Sequence, residues 1–320
     1  MFRSIHIVAI VLSGLVFANS GLGYGQNYPN KSIRIVTSAI GGSTDFVARL
    51  IAQGISGPLG QHVIVDNRGS GIITGQLVMQ APPDGYTLLV AGPTFWLAPF
   101  LYDGLPWDPV RNFTAITLAA SSPNILVVHP SVTANSVKEL IALAKSRPGQ
   151  LNYASAGAGG SPHLSAELFN TMAGVNLVRV PYKGGGPALN ALIAGEVQLQ
   201  FATATSVTSL VKSGRLRALA VTSAQPSALV PGLPPVAATL PGYESTQMTG
   251  MFAPARTPAT IISRLNQEVV RYLRTAEAKE KLFNSGTEAI GSLPEDFAIT
   301  IKSDMARIGN VIKDAGIKAD

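Results

Sequence analysis

The sequence predicts an α/β protein of two lobes joined by two crossing strands. Three observations carry that prediction. Apolar, β-branched runs alternate with segments of helical periodicity, the pattern of a parallel sheet with crossover helices. Two apolar runs, "ILVVHP" and "GMFAPA", bracket a middle block of about 120 residues, close to one domain's worth. Three glycine-rich segments stand where strands hand over to helices, which is where parallel sheets bind ligands.

The elements follow in order. "SIRIVTSA" (Ser32 to Ala39) reads as the first strand, and "TDFVARLIAQGI" as a helix with Phe46, Val47, Leu50 and Ile51 on one face. "HVIVDN" is the next strand, "TGQLVMQA" a helix, and "PPDGYTLLVAG" a turn and a third strand. The pattern resumes with the strand "NILVVHP", the helix "SVKELIALAKSRPG", the strand into "NYASAG" and the helix opened by Pro162. "NLVRVPY", "GPALNALIAG", "EVQLQFAT" and "SLVKSGRLRALAVTS" continue the alternation. A Pro-rich connector, "QPSALVPGLPPVAATLPGYES", precedes the strand "GMFAPA". Three helices close the chain. The first starts at Thr257-Pro258, the second stops near Gly286, and the third opens with Ser292 and Glu295 at capping-box spacing. The expected division is a leader over 1–26, one lobe from 27–126 and 248–320, and a second lobe from 127–247.

Composition narrows the function. The chain has 320 residues, 46% of them hydrophobic and only 13% charged, so it is globular rather than disordered. Arg3 precedes the apolar run "IVAIVLSGLVFA" (Ile7 to Ala18), followed by small and polar residues, which is the pattern of a cleaved export signal. That run is too short to span a bilayer, which needs about 20 residues. The mature protein is therefore expected to be soluble and exported. There is no cysteine, so disulfides and thiolate chemistry are excluded. The net charge of +6 comes from scattered Lys and Arg without basic–aromatic interleaving, so no nucleic-acid partner is expected.

The three junctions are "AIGGSTD" (Ala39 to Asp45), "SAGAGGSPH" (Ser155 to His163) and "YKGGGP" (Tyr182 to Pro187). Ser43 and Ser161 are placed to N-cap the helices that follow, with Pro162 in the first turn. Free backbone N–H groups and the helix dipole make such ends suited to a carboxylate or phosphate. "GAGGSPH" lacks the Lys and Ser/Thr of a P-loop. "GSGIITG" (Gly69 to Gly75) has one residue too many for a dinucleotide fingerprint, so no cofactor is expected. Catalysis finds little support. There is no G-x-S-x-G elbow, and His62, His129 and His163 show no metal-ligand spacing. Ser161 and His163, two apart at a helix start, point in different directions. Asp45 stabilises its helix start, with Arg49 one turn on as a partner.

With those junctions in view, the chain resembles the extracytoplasmic solute receptors of tripartite tricarboxylate transporters, the Bug receptors. The resemblance covers Tyr28 to about Lys318. It rests on "GGSTDFVAR", "VDNRGSG", "PPDGYTLL", "LPWDPVRNF", "YASAGAGGSPHLSAELF", "VPYKGGGPALNALIAGEV", "GRLRALAVTS" and "FAPARTP", in that order. It implies a two-lobe periplasmic-binding-protein type II (Venus-flytrap) fold with hinge crossover strands. It also implies a non-enzymatic, monomeric receptor that captures a small carboxylate and delivers it to integral membrane transporter subunits. A sensor feeding a signalling partner and an exported hydrolase using Ser161 and His163 are the alternatives. Carried over residue by residue, the ligand set is Gly41, Gly42, Ser43, Thr44 and Asp45 from one lobe. The other lobe gives Ala158, Gly159, Gly160, Ser161 and His163, with Tyr182, Ala202 and Thr203 nearby. The chain departs from the family at several positions. The usual Pro-Phe-Pro-Ala before the first Gly-Gly is Thr37-Ser38-Ala39-Ile40, and a common acidic residue is replaced by Ala202. If Ala202 faces the ligand, a positively charged group loses its partner, so an uncharged or purely anionic solute is expected.

Overall fold

The computed structural model describes residues 28–38, 40–68, 71–156 and 158–318, and the expected leader lies outside them. The chain opens with β1 (Ile33–Thr37), α1 (Ser43–Leu59), β2 (Val63–Asn67), α2 (Gly71–Met79) and β3 (Thr87–Ala91). Two short helices follow, α3 (Pro93–Trp96) and α4 (Ala98–Leu101), and then the long strand β4 (Phe113–Val128). The middle block runs α5 (Val137–Ser146), β5 (Asn152–Ser155), α6 (Ser161–Ala173), β6 (Val178–Pro181) and α7 (Gly185–Ala194). It continues with β7 (Leu199–Thr203), α8 (Ala204–Lys212) and β8 (Arg217–Val221). The chain returns through β9 (Thr246–Pro254) and closes with α9 (Ala259–Leu273), α10 (Ala276–Asn284), β10 (Glu288–Ala289) and α11 (Pro294–Asp314).

One strand belongs to both lobes. In the first lobe β1 lies parallel between β2 and β3, and β9 runs antiparallel between β3 and β4. Along β4, Phe113 to Pro123 lie opposite β9, but Asn124 to Val128 pair with β7. β8 takes the other edge of that second half, and β5 lies parallel between β6 and β7. The sequence pattern gives only the half from Asn124 onward. Ser121, Ser122 and Pro123 dilute the apolar signal ahead of it. A proline is tolerated there because it stands where the ladder changes partner.

Three apolar clusters hold the layers together. Val47, Leu50, Ile51 and Ile55 of α1 pack with Leu265 and Val269 of α9 on one face of the first lobe's sheet. Phe46 departs from the expected face: it is 39% exposed, while Val47, Ala48 and Leu50 turn inward. A second cluster runs through both lobes, joining Trp96, Phe252, Phe297 and Ile308 to Tyr153, Leu164, Phe169 and Phe201. Here α11 packs against α6. The third covers the outer face of the second lobe with Ile125, Ala188, Leu192 and Val207.

Two expected caps are corrected. α9 begins at Ala259 after Pro258, and Thr257 Oγ1 donates to the Pro254 carbonyl at 2.8 Å instead of capping. α11 begins at Pro294 after Leu293, so no capping box forms. Ser292 Oγ is taken by the Leu118 N–H at 2.9 Å, a bond that ties the helix start to β4.

Packing at Gly250 yields a direct test. A Cβ added there would fall 2.0 Å from Cζ of Phe297, a fully buried ring packed against Trp96 and Phe252. Gly250→Ala should cost about 1–3 kcal/mol through overpacking, read as a lowered melting temperature. An unchanged melting curve would refute this packing.

Candidate functional site

The first junction is built by a buried acid. Gly42, with φ −81° and ψ 167°, is the N-cap of α1, and no side chain bonds to the helix start. The expected Ser43 cap is therefore corrected: Ser43 is the first helical residue, because glycine already supplies the extended cap conformation. Gly41 has φ +84°, a left-handed conformation that glycine adopts freely. Its N–H donates to Asp45 Oδ2 at 2.9 Å. Asn67 Nδ2 donates to Asp45 Oδ1 at 2.8 Å and to the Ser38 carbonyl at 2.7 Å, and Arg49 Nε lies 3.0 Å from Oδ1. Burial pushes the Asp45 carboxyl up, but the Gly41, Asn67 and Arg49 bonds outweigh it and leave it below the ordinary value. Asp45 is 4% exposed and engaged by the loop, so it braces the junction from behind. Gly41, Gly42 and Ser43 stay exposed, and the half-buried Thr44 bonds Ser38 Oγ at 2.8 Å.

The junction in the second lobe repeats the plan with a histidine. Gly160, with φ −70° and ψ 158°, is the N-cap of α6, again without a side-chain cap. Ser161 is the first helical residue, and its Oγ accepts from Asn124 Nδ2 at 2.8 Å. Gly159 has φ +70°, and its N–H donates to His163 Nδ1 at 3.1 Å. That bond puts the imidazole proton on Nε2, which faces Glu167 Oε1 at 4.0 Å. Tyr153 OH donates to the same carboxylate oxygen at 2.5 Å. Arg179 holds the start of the loop, with Nε donating to Ser155 Oγ at 2.7 Å and Nη2 to the Ala156 carbonyl at 3.0 Å. His163 is 5% exposed, and burial, aided by the Arg179 charge, pushes its pKa down to about 4.

The crossing segments make contact with the second junction and lie near the first. Asn124 also donates to Ser165 Oγ at 3.0 Å, and Ser165 bonds Ser245 Oγ at 2.9 Å on the return path. A cavity of about 20 Å³ between the lobes is lined by Thr94, Gly159, Ser161, Ser245, Gln247 and Asp304. A Cβ on Gly92 would lie 2.9 Å from Gln247 Nε2 and 3.6 Å from Thr44 Cγ2, so the first junction abuts the same return strand. Across the lobes, a Cβ on Gly159 would lie 3.1 Å from Cδ2 of Leu101.

The remaining candidates are placed differently. Ala158 is half-buried in the second junction. Tyr182 is half-buried, packs against the third cluster, and its N–H donates to the Ser155 carbonyl at 2.9 Å. Thr203 sits opposite Asn124 in the β4–β7 ladder and caps no helix through its side chain. Ala202 is 2% exposed within the apolar cluster of Ile125, Ala154 and Ala188. It offers no surface to the inter-lobe space, so the argument from Ala202 to the ligand's charge loses its premise. Asn67, Asn124, Glu167, Arg179 and Gln247 complete the constellation; Asn67 and Glu167 lie within family motifs, but none of the five is singled out by them. A polar residue ending or starting an apolar strand run was the one available signal, at Asn67 and Asn124.

This architecture defines a two-lobe solute-binding protein of the periplasmic type. A family model described as tripartite tricarboxylate transporter family receptor matches residues 47–317. The chain belongs to that family. It is 30% identical to BugT of Bordetella pertussis over 318 residues, covering 97% of this chain and 98% of the relative. An R. palustris protein solved with adipate is 36% identical, with 91% of this chain and 99% of that chain covered at a TM-score of 0.72. MatC from Rhodopseudomonas palustris, solved with bound malate, is 29% identical, with 89% and 100% covered at a TM-score of 0.69.

The buried imidazole carries a pH signature. A histidine with a folded pKa near 4 and an ordinary value of 6.5 binds fewer protons folded than unfolded. Its contribution is complete above about pH 6.5 and is lost as pH falls toward 4, up to roughly 3 kcal/mol. Denaturant titrations across that range should show a steeper decline for the wild type than for His163→Gln. Parallel curves would contradict the buried, neutral ring.

Proposed function

We propose that this chain is an extracytoplasmic receptor that binds a small carboxylate between its lobes and closes over it. The observation that carries the proposal is the pair of glycine N-caps at Gly42 and Gly160. Each opens a long helix whose first-turn N–H groups meet no capping side chain. Such starts favour an anion through donors and dipole together, up to about 2 kcal/mol each in partly buried geometry. Gly41, Gly42, Ser43 and Thr44 would take the ligand from one lobe, and Ala158, Gly160 and Ser161 from the other. Asp45, Gly159 and His163 hold those loops in shape. The relatives solved with adipate and malate support a carboxylate ligand.

Closure follows from the division of contacts. A ligand bridging both junctions stabilises only the state in which they meet, and so shifts the population toward it. No covalent step is involved. His163 Nδ1 accepts from Gly159 and Ser161 Oγ from Asn124, so these side chains are loop and hinge supports rather than a base and its nucleophile. The receptor acts in the periplasm as a monomer and delivers its solute to the membrane subunits of a tripartite tricarboxylate-type transporter.

Thermal shift of the refolded protein against mono-, di- and tricarboxylates tests this. A ligand at 100 times its dissociation constant should add about 2.7 kcal/mol of stability. Gly160→Asp supplies a tethered carboxylate at the helix start. It should raise the stability of the free protein by a few tenths of a kcal/mol and abolish the ligand-induced shift. A flat panel, or a variant that binds as the wild type does, would contradict the proposal.

A further inference from the structure

Between the lobes, one polar side chain keeps its hydrogen-bonding capacity unused. Gln247 lines the inter-lobe cavity together with Gly159 and Ser161 of the second junction. Its Nε2 lies 2.9 Å from the point a Cβ on Gly92 would occupy, and Thr44 Cγ2 of the first junction lies 3.6 Å from the same point. The Gln247 carboxamide is thus flanked by both junctions.

Its polar neighbours are engaged. Ser161 Oγ accepts from Asn124, and Ser245 Oγ bonds Ser165 Oγ. Asp304 accepts from Trp96 Nε1 at 2.7 Å and from Arg307 Nη2 at 3.3 Å. Gln247 is half-buried, and among the described residues its carboxamide meets no hydrogen-bonding partner. An amide head offers two N–H donors and a carbonyl acceptor. Partly removed from water, such a group gains from a partner that completes it.

The strand register explains the placement. Gln247 stands opposite Ser122 in the β4–β9 ladder, and Ser122 is two residues ahead of Asn124, where β4 passes to β7. In closure about the crossing strands, a group at this pivot moves least. It can hold a solute seated in one lobe while the other approaches.

Resting on the receptor reading above, we infer that Gln247 is a ligand-binding residue whose amide N–H donates to an oxygen of the bound acid. The helix starts at Gly42 and Gly160 offer backbone donors, and Gln247 adds a side-chain donor between them.

Isothermal titration of the refolded protein with succinate, malate, adipate and citrate tests this, beside melting curves of the free variants. Gln247→Met keeps the length of the side chain without its amide. It should weaken the acid that binds tightest by about tenfold, the effect of one hydrogen bond to a charged group, and melt as the wild type does. Gln247→Glu keeps the shape but sets a carboxylate against the ligand's own, and should weaken binding further. Wild-type affinity in either variant overturns the inference and leaves the receptor reading standing. Weakened binding in Gln247→Met that comes with a lowered melting temperature marks a structural role and overturns it as well. Absence of binding by the wild type to all four acids overturns both.

Discussion

The fold depends on a single strand shared by two sheets. β4 is 16 residues long and changes its neighbour from β9 to β7 at Asn124. That change is where the two sheets meet. It also sets Asn124 at the pivot, where its amide holds Ser161 and Ser165 of α6. The helix that presents the second junction is therefore fastened to the crossing strand itself. Its far face packs on α11 within an apolar cluster common to both lobes. The two lobes therefore share a packed apolar layer as well as the crossing strand.

A second constraint governs chemistry. Both junctions leave their helix starts without a side-chain cap and use their ionisable side chains to shape the loops. Asp45 does this with a carboxylate that accepts the Gly41 N–H, and His163 with a neutral ring that accepts the Gly159 N–H. Left-handed glycines at positions 41 and 159 let the chain turn tightly enough for those bonds. Behind each stands a further partner, Asn67 in one lobe and Glu167 with Tyr153 in the other. Loops braced in this way are preorganised.

Much of this was legible in the sequence because periodicity and glycine placement are local signals. The alternating elements, the two crossing strands and the glycine-rich strand-to-helix junctions follow from them. What escaped was long-range or ambiguous by one residue. Gly42 and Gly160 serve as caps where Ser43 and Ser161 fit the same pattern, since Gly and Ser both tolerate the extended cap conformation. The first half of β4 hides behind Ser121, Ser122 and Pro123. Phe46 looks like a core residue by spacing, yet the helix turns it outward. Ala202 looks like a missing cleft charge and is core. Bonds such as Asn67 to Asp45 and Asn124 to Ser161 join residues that no sequence window holds together.

Hydrogen exchange with and without a carboxylate that binds tests the central claim most directly, because the claim concerns backbone N–H groups. Amides at residues 43–45 and at Ser161 and His163, on either side of Pro162, belong to different lobes and to the two glycine-capped helix starts. Slowed exchange in both segments together, saturating at the same ligand concentration, is the predicted result. Protection confined to one segment, or absent from both while the ligand is bound, would contradict capture between the two helix starts.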